Sequence, residues 1–184
     1  MADHVALLRG INVRRAKRIA MADLRAVVEG LGFHDVTTVL ASGNVVFAGR
    51  AVPDPATLRE AVRDGTGVDA PLVIVAGERF REIAAANPLR RDDRDATRLL
   101  VSFPAAPLDV DALLLAAPTT RDLVPEEFVA TPGAIYQWLP DGVLASRVPA
   151  AFWRSVGVTV TARNDATVRR VVAVLDARQT LDAR

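Results

Sequence analysis

Five cations fall in the ten residues Arg9-Gly10-Ile11-Asn12-Val13-Arg14-Arg15-Ala16-Lys17-Arg18. A guanidinium fork matches two phosphate oxygens at once, and a lysine adds a compact charge. If the run joins a strand to a helix, backbone N–H groups and the positive end of the helix dipole add to the attraction. Arg9, Asn12, Arg14, Arg15, Lys17 and Arg18 are therefore candidate ligands for a phosphate-bearing molecule. No G-x-x-x-x-G-K-[ST] run occurs, and one glycine is too few for a dinucleotide fingerprint. The same run also fits a solvated basic loop.

Other chemistries are thinly provided. Ser42 lacks a G-x-S-x-G setting, and the two histidines, His4 and His34, are a poor stock for a triad. Neither histidine stands in an H-x-H or H-E-x-x-H spacing, so no metal site is expected of them. Asp92, Asp93 and Asp95 could offer oxygens to Mg²⁺, but Arg90, Arg91 and Arg94 are interleaved with them and make a self-neutralising solvated stretch. Cysteine is absent, which removes thiol nucleophiles, Cys-ligated zinc, iron–sulfur clusters and disulfides. No catalytic residue, metal or cofactor is assigned.

The elements that would position the basic run follow from periodicity. His4–Arg9 reads as a buried strand, and Met21–Leu31 as a helix with Leu24, Val27, Val28 and Leu31 on one face, stopped by Gly32. Thr37–Leu40 and Val45–Phe47 read as strands joined by the tight turn Ser42-Gly43-Asn44. Pro53-Asp54-Pro55 opens a second helix to about Asp64, and Leu72–Ala76 is a further strand. The order β-α-β-β-α-β is that of a ferredoxin-like unit with an antiparallel sheet. In such a unit the hairpin and the first loop can share an edge, which adds Ser42 and Asn44 to the candidate ligands, although the composition also serves a plain turn.

The second half begins with a helix at Glu78–Ala86 and a polar linker over residues 87–96. A strand Arg98–Phe103, a helix from about Leu108 to Ala116, and strands Phe128–Thr131 and Ala134–Leu139 around Pro132-Gly133 come next. Asp141-Gly142 marks a turn before Val143–Arg147, and a last helix over Asp165–Ala177 is capped by Asn164. Arg163 precedes that cap, and Asp165 favours the helix dipole. Trp138, Tyr136, Phe152 and Trp153 read as core or partner-facing, without an RNA-platform pattern. The order echoes the first half. An α+β fold of two related subdomains is expected, residues 1–86 and 97–184, with one compact unit as the alternative.

Charge is uneven along the chain. Residues 1–50 carry 7 basic and 4 acidic groups, residues 51–146 carry 9 and 15, and residues 147–184 carry 7 and 3, against a net charge of +1. If the basic ends meet, the fold has a positive face. With 51% hydrophobic residues a sizeable core can form. The start lacks a basic n-region, and no apolar run approaches the roughly 18 residues of a span. A cytoplasmic location without membrane partners is expected.

Five blocks carry a resemblance: ALLRGINV at Ala6–Val13, MADLRAVVEGLGF at Met21–Phe33, LASGNVVF at Leu40–Phe47, WLPDGVLASRVP at Trp138–Pro149 and TARNDATV at Thr161–Val168. In this order they resemble the uncharacterised bacterial family called domain of unknown function 1697. The resemblance implies an α+β fold of two subdomains and supplies no catalytic residues. Paired glycines, usual after the first block in that family, are replaced here by Arg14 and Arg15, which puts a glycine-dependent anion nest in doubt. The family's Arg-Asn-Trp becomes Arg163-Asn164-Asp165, so stacking on an indole is lost here. The leading expectation is a binding module for a phosphate-bearing ligand or nucleic acid. The alternatives are an enzyme acting on a small anionic substrate through arginine electrostatics, and an oligomerising protein with the loop as interface.

Overall fold

The computed structural model describes residues 1–12 and 17–182, so Arg14 and Arg15 lie outside the described residues. The chain divides into two compact units, Met1–Glu82 with Arg170–Arg184 in one and Ile83–Arg169 in the other.

The first unit runs β1 (Ala2–Leu8), α1 (Met21–Gly30), β2 (His34–Val39), β3 (Asn44–Gly49), α2 (Pro55–Thr66) and β4 (Leu72–Ala76). Its sheet has the order β2-β3-β1-β4, with every pairing antiparallel. This is the ferredoxin-like arrangement expected from the sequence. Residues 4 to 8 of β1 are all buried, which is why the central strand reads as an unbroken apolar run rather than an alternating one. Leu24 and Val28 of α1 pack with Leu58 and Val62 of α2 against Ala6, Leu8, Val45 and Phe47. Each fully buried side chain of this kind stabilises by roughly 1.5–3 kcal/mol, and Leu58→Ala would cost roughly 2–5 kcal/mol. Asp54 caps α2 by accepting from the Thr57 N–H at 3.0 Å, Pro55 opens the first turn, and Gly67 ends the helix in the left-handed region at φ 72°.

Helix α3 (Gly77–Ala85) leads from the first unit into the second. There follow β5 (Leu99–Pro104), α4 (Val110–Ala116), α5 (Thr120–Leu123), β6 (Glu127–Thr131), β7 (Ala134–Trp138), α6 (Ala150–Ser155) and β8 (Val160–Asn164). Helix α7 (Asp165–Asp182) returns the chain to the first unit. The sheet order β6-β7-β5-β8 repeats that of the first sheet, so both units have the same split topology. A separate core of Leu113, Leu123, Ile135, Val148 and Phe152 fills the second unit.

The second half differs from the sequence reading in its last third. Val143–Ala145 is one 3-10 turn whose Leu144 is 101% exposed. Helix α6 and strand β8 complete the β-α-β-β-α-β order and were not anticipated. At the edge of its sheet, β8 has only Thr161 buried, so it carries little of the apolar signal that marks an inner strand. Among the described residues no helix is long and apolar enough to cross a membrane.

Candidate functional site

The basic run begins where β1 ends. Arg9 is exposed, and its backbone N–H donates to the Pro71 carbonyl at 2.7 Å, fixing the exit of the strand beside the start of β4. Asn12 then adopts a left-handed conformation, φ 54°, which asparagine tolerates better than most side chains. Its Oδ1 accepts from the Ile19 N–H at 3.0 Å, and its Nδ2 donates to the carbonyls of Ile19 (3.1 Å) and Ala41 (2.7 Å). The Asn12 N–H also donates to the Lys17 carbonyl at 3.0 Å. One side chain thus closes the loop on itself and ties it to the turn before β3.

That turn is held close. The Leu8 N–H donates to the Gly43 carbonyl at 2.8 Å. A Cβ at Gly43, φ 75°, would fall 2.8 Å from both Leu8 Cβ and Ile11 Cδ1, so only glycine lets the turn approach. Asn44 is buried; its Nδ2 donates to the Val39 carbonyl at 2.8 Å and to Ser42 Oγ at 2.9 Å. Loop and hairpin do share an edge. Asn12 and Asn44 build the frame with their amides, and Ser42 lies exposed on it.

Three described cations stand on this frame. Arg9, Lys17 and Arg18 are all exposed. Lys17 Nζ lies 3.3 Å from the Asp69 backbone carbonyl. The Asp69 carboxylate is taken by the fork of Arg59, at 2.6 and 2.7 Å. Those bonds hold Asp69 below the usual carboxylate range, with Lys17 adding a weaker pull in the same direction. Arg59 and Asp69 were absent from the sequence reading, because their pairing joins α2 to the approach to β4 and has no local signature. His4 is buried in β1 and His34 is exposed at the start of β2.

The polar linker resolves differently from its local reading. Arg90 grips Asp165 through two bonds of 2.6 and 3.1 Å, and Arg91 and Arg94 reach Glu127, so the linker arginines are neutralised by distant acids rather than by Asp92 and Asp93. Arg94 also lies 4.9 Å from the centre of the Trp138 ring. Asp95 accepts from the N–H and hydroxyl of Thr97, both at 2.8 Å. Among the described residues no three His, Asp or Glu side chains gather into a metal-sized cluster.

Over residues 1–136 the chain matches the family described as protein of unknown function (DUF1697). The chain belongs to this family. Among solved structures, a conserved bacterial protein from Streptococcus pneumoniae is similar to the DUF1697 chain at 23% identity, over 95% of this chain and 98% of that one, with a TM-score of 0.65. That likeness shows the shared fold. No curated protein matches the chain. The basic loop and the hairpin lie inside the range matched to DUF1697, whereas the blocks Trp138–Pro149 and Thr161–Val168 lie beyond it.

Proposed function

We propose that the β1–α1 loop of this DUF1697 protein is a binding surface for phosphate groups, carried by a nucleotide-like ligand or by a nucleic acid, and that it works in the cytoplasm, where such molecules are concentrated. The supporting observation is the Asn12 clasp, which holds both ends of the loop and the neighbouring turn in one frame beneath the exposed Arg9, Lys17 and Arg18. A frame fixed before the ligand arrives lowers the ordering cost of binding. Cations on it attract phosphate by charge alone, so affinity must fall with salt.

The test is fluorescence anisotropy with labelled single-stranded and double-stranded oligonucleotides and a labelled adenosine nucleotide, at about 50 and about 200 mM salt. Binding that weakens at the higher salt, and drops about tenfold or more in a Lys17→Ala/Arg18→Ala variant, supports the reading. The preferred probe separates nucleotide from nucleic acid. Absence of binding, or binding indifferent to the variant, removes it.

A further inference from the structure

Leucine is poorly suited to a left-handed backbone, because its Cβ crowds the carbonyl oxygen there. Leu40 nevertheless stands at φ 59°, as the first residue of the turn between β2 and β3. Among the described residues, the non-glycine positions with positive φ are Asn12 (54°), Lys17 (55°), Asp35 (54°) and Leu40. Asp35 lies at the start of β2, where its carbonyl accepts from Arg178. The other three belong to the loop and the turn that the Asn12 amide ties together. Strain of this kind gathers where a fold presents groups to a ligand.

Hydrogen bonds place Leu40 beside the cations. The carbonyl of Ala41, the next residue, accepts from Asn12 Nδ2 at 2.7 Å, and the Asn12 N–H reaches the Lys17 carbonyl at 3.0 Å. The neighbouring apolar side chains Leu8, Ile11, Ile19, Val39 and Val45 are buried, whereas Leu40 is 43% exposed. Glycine or asparagine would adopt φ 59° with less strain, and the fold uses only part of the leucine side chain, so folding alone does not account for leucine here. No Phe, Tyr or Trp occurs from Leu8 to Gly32 or from His34 to Val46. Among the described residues of the loop and turn, Leu40 is therefore the large apolar side chain open to a ligand.

We propose that this site takes a phosphate together with an unpaired nucleobase, the phosphate held by the loop cations and the face of the base lying on Leu40. The proposal rests on the reading of the loop as a phosphate-binding surface and narrows it to ligands whose bases are open, a free nucleotide or a single strand. A duplex keeps its base faces stacked inside and brings only its backbone and groove edges to Leu40. Every base has an apolar face to offer, so the contact tolerates any sequence. An aliphatic side chain covers less of that face than an aromatic ring does, so the preference is modest.

Isothermal titration of the full chain at about 50 mM salt tests this, with adenosine triphosphate, tripolyphosphate, a single-stranded oligonucleotide and the duplex of the same length as probes. Adenosine triphosphate should bind about fivefold more tightly than tripolyphosphate, which carries similar charge without a base. Leu40→Gly, which relaxes the backbone, should remove that margin and weaken the single strand by a similar factor, while tripolyphosphate and the duplex bind as they do to the native chain. Leu40→Met keeps an apolar side chain and should retain the margin. Whichever of adenosine triphosphate and the single strand binds more tightly identifies the source of the base. The proposal is overturned if tripolyphosphate binds the native chain as tightly as adenosine triphosphate, if Leu40→Gly weakens all the probes alike, or if it weakens none. In each of those cases the loop remains a phosphate site that reads charge alone. If no probe binds the native chain, the phosphate reading itself falls, and this proposal falls with it.

Discussion

The Arg178 guanidinium in α7 stands 3.1 Å from Oδ1 of Asp3 in β1, across 175 positions of sequence. The same guanidinium donates to the carbonyls of Asp35 and Val46 and to the Thr37 hydroxyl, so one side chain fastens β1, β2 and β3 together. With Arg178 and Asp3 only 14% and 19% exposed, removing one partner leaves a largely desolvated charge behind. Arg178→Ala should cost about 3 kcal/mol, read as a lower urea midpoint. Arg178→Lys should restore only part of it, because an ammonium lacks the fork. A midpoint unchanged in Arg178→Ala would show that the clasp contributes nothing.

His4 predicts a pH effect. It is 2% exposed, neither ring nitrogen has a hydrogen-bond partner among the described residues, and its ring packs 5.6 Å from that of Phe47. Burial lowers its pKa, with the nearby Asp3 opposing in part. The folded state therefore keeps His4 neutral while the unfolded chain takes up a proton below about pH 6.5. This contribution is fully present above that pH and is lost as pH falls through it, at no more than about 1.4 kcal/mol per pH unit. Stability measured from pH 7 to 5 should decline less steeply in His4→Phe. Parallel curves for the two chains would remove His4 as the cause.

Asp165 is fully buried at the start of α7, where it accepts two bonds from Arg90 and one from Arg169 at 2.8 Å, beside the Asn164 cap on the Thr167 N–H. Its two partners should prove unequal. Arg169 is 54% exposed, so Arg169→Ala should cost less than about 1 kcal/mol. Asp165→Ala strips the anion from a desolvated pair and should cost about 3–5 kcal/mol by denaturant titration. Equal effects from the two substitutions would contradict this ranking.

These contacts mark where sequence reasoning stops. Leu24 and Val28 announce α1 because helical period alone places them under the sheet, and the Asp54-Pro55 start of α2 is written in neighbouring residues. The matching strand orders of the two units follow from that local grammar once β8 is recognised. Arg178 with Asp3, Arg59 with Asp69 and Arg90 with Asp165 are set by the tertiary path, and nothing local distinguishes these arginines from the rest of an arginine-rich chain. Arg163 illustrates the cost: as a residue before a helix cap it looks ordinary, and only the pairing of β8 with β5 sets it into a groove with Arg98. The basic loop was legible as a cluster, but the role of Asn12 as its clasp was not, because its partners at Ile19 and Ala41 become neighbours only after the hairpin folds back.

Asn12 supplies the last prediction, because it separates backbone strain from the clasp. Asn12→Ala removes the amide bonds to Ile19 and Ala41 and also places a Cβ residue with no local hydrogen bond at φ 54°. Asn12→Gly removes the same bonds without the conformational penalty. Both should be destabilised by about 1–3 kcal/mol, with glycine the milder. Both should bind phosphate-bearing probes more weakly than the native chain, although each keeps Arg9, Lys17 and Arg18. If the frame beneath those cations matters, losing it weakens binding with no change in charge. Native affinity in Asn12→Gly would show that the cations act alone, as a loose basic patch.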